Sequence, residues 1–353
     1  MKVTVSKYLN VRVGEPRLDA PNYQYLAPGS ILEVDGKLYN GQDYEGNSLW
    51  YKDLAGNYYW SGGILDPSFK PNIWEQFKID KFWWFKDYNL DKVWKSSNKG
   101  SKIKVAILDT GLSLPHSDLD VNSITLQDVT DSDSTEDWTG HGTHVCGILN
   151  AAHNTKGVYG LAPNVDLYFA KVTNDIVGDS LDFLVKGIDW AVANSVDIIS
   201  ISKGFQNDSN LLKAAISRAA KSNILIVCAA GNKLHNTHVD IDFPARYSET
   251  ISVGGILRNK KVLGDTINTN QTDIFAPGFE VLSTFKKNSY KKLSGSSQAA
   301  PFVAGLAALL LSKIRKNNPK FKAIDLKDHL LSTSDNQSFG KVVNPLNAIN
   351  NTP

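Results

Sequence analysis

The chain predicts an α/β fold, a doubly wound and mainly parallel sheet, preceded by a small all-β barrel. Three observations carry this. From Lys102 onward, apolar runs alternate with amphipathic or buried helical stretches: KVAILDT, THVCGILNAA, DLYFAKV, SLDFLVKGIDWAVA, DIISIS, LLKAAISRAAKS, ILIVCAAG, TISVGG and QAAPFVAGLAALLLSKI. Continuous apolar strands followed by such helices describe a parallel sheet covered on both faces. Before Leu65 the text instead breaks into short strand-like runs separated by Gly, Pro and Asn clusters, the pattern of a small barrel. Finally, 353 residues at 42% hydrophobic and 21% charged suit two domains and exclude disordered and collagenous chains.

The elements follow in order. YLNVRV, YLAPGSILEV, SLWYKDL and NYYWSGG read as strands of the first domain, residues 1–65. In order and spacing, LNVRVG, LAPGSILEVDG, WYK and YYWSGG resemble the bacterial SH3-like domain. Its aromatics Trp50, Tyr51, Tyr58, Tyr59 and Trp60 have two readings, a peptide groove or a core, and in so small a barrel most are expected in the core. Residues 66–100, with their run of Trp and Phe, are too apolar for a flexible linker and are expected to pack on the domain that follows, residues 101–353.

Bulk properties exclude several classes. A net charge of +2 gives no sign of a nucleic-acid partner, which needs clustered Lys and Arg. Cys146 and Cys228 lie in apolar runs and read as small buried hydrophobes, in keeping with a reducing compartment. The opening MKVTVSKYLNVRV has no apolar core of a signal peptide, and no run is expected to reach the length of a membrane span. A soluble, cytoplasmic protein without a membrane partner is the expectation, unless a leader precedes this chain.

Function in a parallel sheet gathers at the carboxyl ends of the strands. Asp109 ends KVAIL; His141 lies in GHGTHVCG at the start of a helix; Asn232 ends ILIVCAAGN; Ser296 and Ser297 stand at the mouth of the last apolar helix. Singly these read as a turn residue, a structural histidine, a turn and a helix cap. Together, at four element ends in the order Asp, His, Asn, Ser, they point to nucleophilic catalysis. A serine hydroxyl needs a base within hydrogen-bond reach, and histidine suits that task near neutral pH.

AILDTGLSLPHSDL, GHGTHVCGIL, GVYGLAPNVDLYFAKV, SISKG, VCAAGN, FAPG and GSSQAAPFVAG resemble the signature segments of the subtilisin-like serine peptidases, in family order over roughly residues 80–350. The resemblance implies a subtilisin-like fold and a serine endopeptidase. Ser297 would be the nucleophile, His141 the general base and Asp109 the group that orients the imidazole. Asn232 would complete the oxyanion hole. Ser296 and Gln298 depart from the commoner Thr and Met around the nucleophile. A catalytically silent binding protein on the same fold is the alternative.

The resemblance also implies a peptide channel between residues 174–178 and Ser202 to Gly204. Its first pocket would be walled by Ser202, Lys203, Gly204, Ala229, Ala230 and Gly231, with Asp242 near the floor. Asp242 would favour Lys or Arg side chains, and Lys203 or Lys233 would neutralise it; both readings stay open. No cofactor is required. Calcium is a candidate through Asp118, which matches a ligand of some family members, or through the acidic loop DVTDSDSTEDW, although that loop lacks an EF-hand spacing and reads as solvated. His144, three residues beyond His141, reads as a buried structural histidine rather than a zinc ligand, so no metal site is assigned. A polypeptide substrate is the expected partner, with a protein target or regulator at the SH3-like domain.

Overall fold

The computed structural model describes residues 1–5, 9–27, 29–44, 47–65, 83–154, 157–174, 178–232, 240–264, 266–267 and 270–353. Contacts divide the chain into two units, Met1–Asp80 and Lys81–Pro353.

The first unit is all β. Its strands are β1 (Lys2–Val5), β2 (Leu9–Val13), β3 (Asn22–Leu26), β4 (Ile31–Tyr44), β5 (Asn47–Asp53), β6 (Asn57–Trp60) and β7 (Ile64–Leu65). They form one antiparallel sheet in the order β3-β2-β6-β5-β4-β1-β7. The long β4 pairs with β1 at its start and with β5 beyond, so one strand serves two neighbours. Alternation turns Val3, Val5, Leu32 and Val34 inward. Trp50, Tyr51, Tyr58, Tyr59 and Trp60 are all buried there, which favours the core reading over the groove. Their polar tips have partners inside the unit: Trp50 Nε1 donates to the Gln42 carbonyl at 3.0 Å and the Tyr59 hydroxyl to Asp53 at 2.6 Å.

The second unit opens with α1 (Trp83–Asp87) and α2 (Leu90–Ser97), whose Trp83, Trp84, Leu90, Val93 and Trp94 join the main hydrophobic core. Then follow β8 (Lys104–Asp109), β9 (Ile124–Asp128), α3 (His141–Asn150), β10 (Asp166–Lys171), β11 (Thr173–Asn174), β12 (Gly178–Asp179), α4 (Leu181–Ala193), β13 (Ile198–Ile201), α5 (Asn210–Lys221), β14 (Leu225–Ala229) and β15 (Thr250–Ile256). The chain continues through β16 (Ile274–Pro277), β17 (Val281–Phe285), β18 (Ser289–Leu293), α6 (Ser296–Ile314), α7 (Leu326–Ser332), β19 (Asp335–Gln337), β20 (Gly340–Val342) and α8 (Pro345–Asn350).

The central sheet runs β19-β20-β16-β15-β14-β13-β8-β10-β9 and is parallel except for the β19–β20 pair. Strand β8 alternates its side chains between the two faces. Val105 and Ile107 pack with α3 and α6, while Ala106 and Leu108 pack with α4 and α5. The sheet is therefore wound on both sides, and the chain reverses direction across the sheet at β8, between β10 and β13. Crevices at such a reversal are where α/β sheets bind ligands. Helix α6 does reach a spanning length at 19 residues, contrary to the expectation above, yet 89% of its apolar window is buried inside the unit, as a core helix requires.

Candidate active site

Two strand ends and two helix starts converge at the reversal. Asp109 is the last residue of β8 and is buried at 1% exposure, while His141, the first residue of α3, keeps 29% of its side chain exposed. His141 Nδ1 meets Asp109 Oδ1 at 2.7 Å, and the Thr110 N–H donates to the same oxygen at 2.8 Å. The chain enters α3 through Gly140, whose φ of 84° lies in the left-handed region that glycine tolerates. A Cβ there would run into the ring of Phe285. Burial, the largest influence on His141, disfavours its charge. The Asp109 charge and hydrogen bond, reinforced by the charge of Asp137 and opposed by that of Lys203, outweigh it and raise the imidazole above its ordinary 6.5.

Ser296 and Ser297 have different environments. Ser296 is fully buried. Its hydroxyl donates to the Gly231 carbonyl at 3.0 Å and accepts the Gly231 N–H at 3.2 Å. Its backbone N–H donates to Asn232 Oδ1 at 3.0 Å. That bond orients the Asn232 amide, because an N–H must meet the oxygen and not the nitrogen. Ser297 stands in the first turn of α6, where backbone N–H groups lack a helical acceptor. Its hydroxyl donates to the Ser202 carbonyl at 3.3 Å. Pro301, four residues on, has no N–H to give the Ser297 carbonyl; the Ser202 hydroxyl takes that role at 2.9 Å.

The residues expected in the first pocket also come together. Phe205 and Phe243 exchange backbone hydrogen bonds at 2.8 Å, and the Asp242 N–H donates to Ala230 at 2.9 Å. Asp242 is thereby laid across both glycines. A Cβ on Gly204 would come within 2.5 Å of the Asp242 Cβ, and one on Gly231, at φ 104°, within 2.5 Å of its carboxylate. The Lys203 ammonium pairs with Asp179 of β12. Lys233 and residues 175–177 lie outside the described residues. Asn174 is buried and donates to the Thr130 carbonyl at 3.1 Å.

Asp118 does not fit calcium. It is buried, and its carboxylate accepts the Val158 N–H at 2.7 Å and the Asn154 amide at 3.2 Å. Gly157 packs so closely on it that a Cβ would overlap the carboxylate. A cation there would face the positive ends of these donors instead of a set of oxygens. The acidic loop is more ordered than a solvated loop. Asp128 accepts the N–H and hydroxyl groups of Thr130 and Ser132, and Asp137 is 1% exposed within a dense hydrogen-bond network. Among the described residues, no cluster of three or more His, Cys, Asp or Glu suits a metal ion. His144 is buried, pushed down to about 3 mainly by that burial, and its Nε2 faces the carbonyls of Val281 and Lys291. Both cysteines are free and buried.

Sequence reasoning missed Asp137 and Asp179. The DxTGH spacing, a carboxylate three residues before a glycine that cannot cap its own helix, was the available signal for the first. The second is a contact between separate segments and had none.

Residues 100–347 match the subtilase family. Subtilisin DY of Bacillus licheniformis is 40% identical over 247 residues, covering 70% of this chain and 88% of that protein. The major intracellular serine protease of Bacillus subtilis (strain 168) is 39% identical over 230 residues, 63% of this chain and 72% of its own length. Subtilisin E of the same strain is 34% identical over 236 residues, 67% of this chain and 61% of its own. The chain belongs to the subtilase family and is a subtilisin-like serine peptidase.

Proposed function

We propose that this chain cleaves polypeptides by acyl transfer to Ser297, with His141 as general base and acid, Asp109 as its orienting carboxylate and Asn232 in the oxyanion hole. The observation that carries this reading is the 2.7 Å contact between His141 Nδ1 and buried Asp109. A proton on Nδ1 leaves Nε2 as the basic nitrogen. When His141 takes the Ser297 proton, Asp109 stabilises the imidazolium without being protonated itself. The oxyanion forms beside the start of α6, where the Ser297 N–H and the Asn232 amide donate to it. His141 then returns the proton to the leaving amine.

Substrate binds as an added strand along Ser202 to Gly204 and the β11–β12 hairpin, through backbone hydrogen bonds. Asp242 at the pocket floor selects Lys or Arg, and the pairing of Lys203 with Asp179 supports that choice over neutralisation by Lys203. Residues 1–65 form an SH3-like recognition arm, joined through 66–100 to the peptidase domain 101–353. With its large aromatics buried, the arm's outer surface chooses the protein target or regulator. Deleting residues 1–65 is expected to spare hydrolysis of a short peptide and to impair hydrolysis of the protein target.

Kinetics of Asn232→Ala test the chemical reading. The turnover number should fall by about two to three orders of magnitude, the scale that subtilisin itself sets for this donor, with KM nearly unchanged. An unchanged turnover number would remove Asn232 from the site.

A further inference from the structure

We propose that Asp137 is a positioning residue that holds the Asp109–His141 pair in register by capping α3 from outside the helix. This deepens the reading of Asp109 and His141 given above and rests on it.

A helix start leaves its first N–H groups without acceptors, and a polar N-cap side chain ordinarily takes one of them. The N-cap of α3 is Gly140, which has no side chain to offer. The Gly140 N–H donates instead to Asp137 Oδ1 at 2.8 Å, and the Thr143 N–H to Asp137 Oδ2 at 2.8 Å. The two N–H groups between them go to hydroxyls that hang on the same carboxylate. His141 N–H donates to Thr139 Oγ1 at 3.0 Å, and Gly142 N–H to Thr110 Oγ1 at 2.8 Å. Those hydroxyls donate in turn to Asp137 Oδ1, at 3.0 Å from Thr139 and 2.9 Å from Thr110. One buried carboxylate thus gathers the whole first turn that begins with His141.

Thr110 extends the device to the other partner. Its backbone N–H donates to Asp109 while its hydroxyl bridges Asp137 and α3. Strand end and helix start, 32 residues apart in sequence at Asp109 and His141, are therefore tied through a single anion. A buried carboxylate that accepts this many hydrogen bonds has little freedom to move. Its charge lies near the developing imidazolium. Among the described residues, the charged and titratable groups facing His141 are Asp109 at the end of β8, Asp137 in the loop before α3, Lys203 after β13, and His144 one turn along α3.

The test uses the full chain. Asp137→Asn keeps the shape but makes one acceptor a donor and removes the charge. Steady-state kinetics on a chromogenic peptide are read beside an NMR titration of the His141 ring, assigned by its loss in His141→Gln. The turnover number should fall by up to about a hundredfold, as misplacement of a catalytic group can cause. KM should stay within about twofold, and His141 should titrate at lower pH. Thr110→Val removes the hydroxyl bridge and keeps the carboxylate, so turnover should fall with a smaller change in titration; Thr110→Ser should restore it. A folded Asp137→Asn with wild-type turnover and titration would overturn the proposal. If Asp137→Asn does not fold, wild-type turnover in Thr110→Val would overturn it. A wild-type chain without peptidase activity, whose His141 still titrates lower in Asp137→Asn, would overturn the catalytic reading and support the positioning role.

Discussion

The Ser297 carbonyl, deprived of its helical donor by Pro301, accepts the Ser202 hydroxyl at 2.9 Å. This ties the start of α6 to the end of β13, and with it the proposed nucleophile to the wall of the proposed peptide channel. The return contact, Ser297 Oγ to the Ser202 carbonyl at 3.3 Å, is longer, so the Ser297 hydroxyl is more weakly held than its backbone.

Ser202→Ala leaves the Ser297 carbonyl without that donor. The expected loss is about 0.5–1.5 kcal/mol of stability, the usual net worth of one hydrogen bond, because this acceptor is only part-buried. A fall in turnover should accompany it. Denaturant unfolding and peptide kinetics on the same preparation check both. Unchanged stability with unchanged turnover would mean that water replaces the serine without consequence.

The pH profile follows from His141. The Asp109 and Asp137 charges raise its protonation above the ordinary 6.5 despite burial, so the proposed general base is lost at a higher pH than in a free imidazole. Activity should rise with pH through a value above 6.5. The sign for stability is opposite: the group's contribution is fully present below 6.5 and is lost as pH rises through the raised value. A profile of kcat/KM against pH with its acid limb below 6.5 would contradict this.

Much of this site was legible in the sequence, and the reason is local. Asp109, His141, Asn232 and Ser297 each sit at an element end, where glycines and apolar runs mark the boundary. The segments proposed for the first pocket stand out in the same way, at the ends of β13 and β14. Partners between distant segments were not. Nothing near Lys203 announces Asp179, and Asp137 was hidden among eight other acidic or hydroxyl residues of a loop, 128–138, whose composition resembles a solvated one. Asp118 shows the converse: its type matched a metal ligand, but N–H donors of Asn154 and Val158 meet its carboxylate.

The proposed preference for Lys or Arg turns on Asp242. Asp242→Ala should reduce cleavage after Lys and Arg by about ten- to a hundredfold, the worth of a hydrogen bond to a charged group, and leave cleavage after Leu or Phe nearly unchanged. Lys203→Ala should alter that preference little, because Lys203 is engaged by Asp179. Profiling on a mixed peptide library decides this. An unaltered preference in Asp242→Ala would take the carboxylate out of the pocket.

Chelation should be without effect at Asp118. A calcium site filled at a hundred times its Kd would add about 2.7 kcal/mol, worth several degrees in Tm. Thermal unfolding of the full chain with and without EDTA should therefore superimpose, since the Val158 and Asn154 donors already satisfy this carboxylate. A Tm that falls on adding EDTA and recovers with calcium would show that the donors move aside for the ion.

The central claim, an activated nucleophile at Ser297 backed by its buried neighbour Ser296, is tested most directly by a fluorophosphonate probe followed by peptide mapping. The probe labels an activated serine whatever the substrate. The folded wild-type chain should be labelled at Ser297, Ser297→Ala should not be labelled, and Ser296→Ala should retain labelling at a reduced rate, because it loses the hydroxyl's bonds to Gly231 and Asn232 Oδ1 but keeps the backbone N–H bond to Asn232 and the nucleophile. No labelling of folded wild-type chain, or labelling that survives in Ser297→Ala and disappears in Ser296→Ala, would contradict the account.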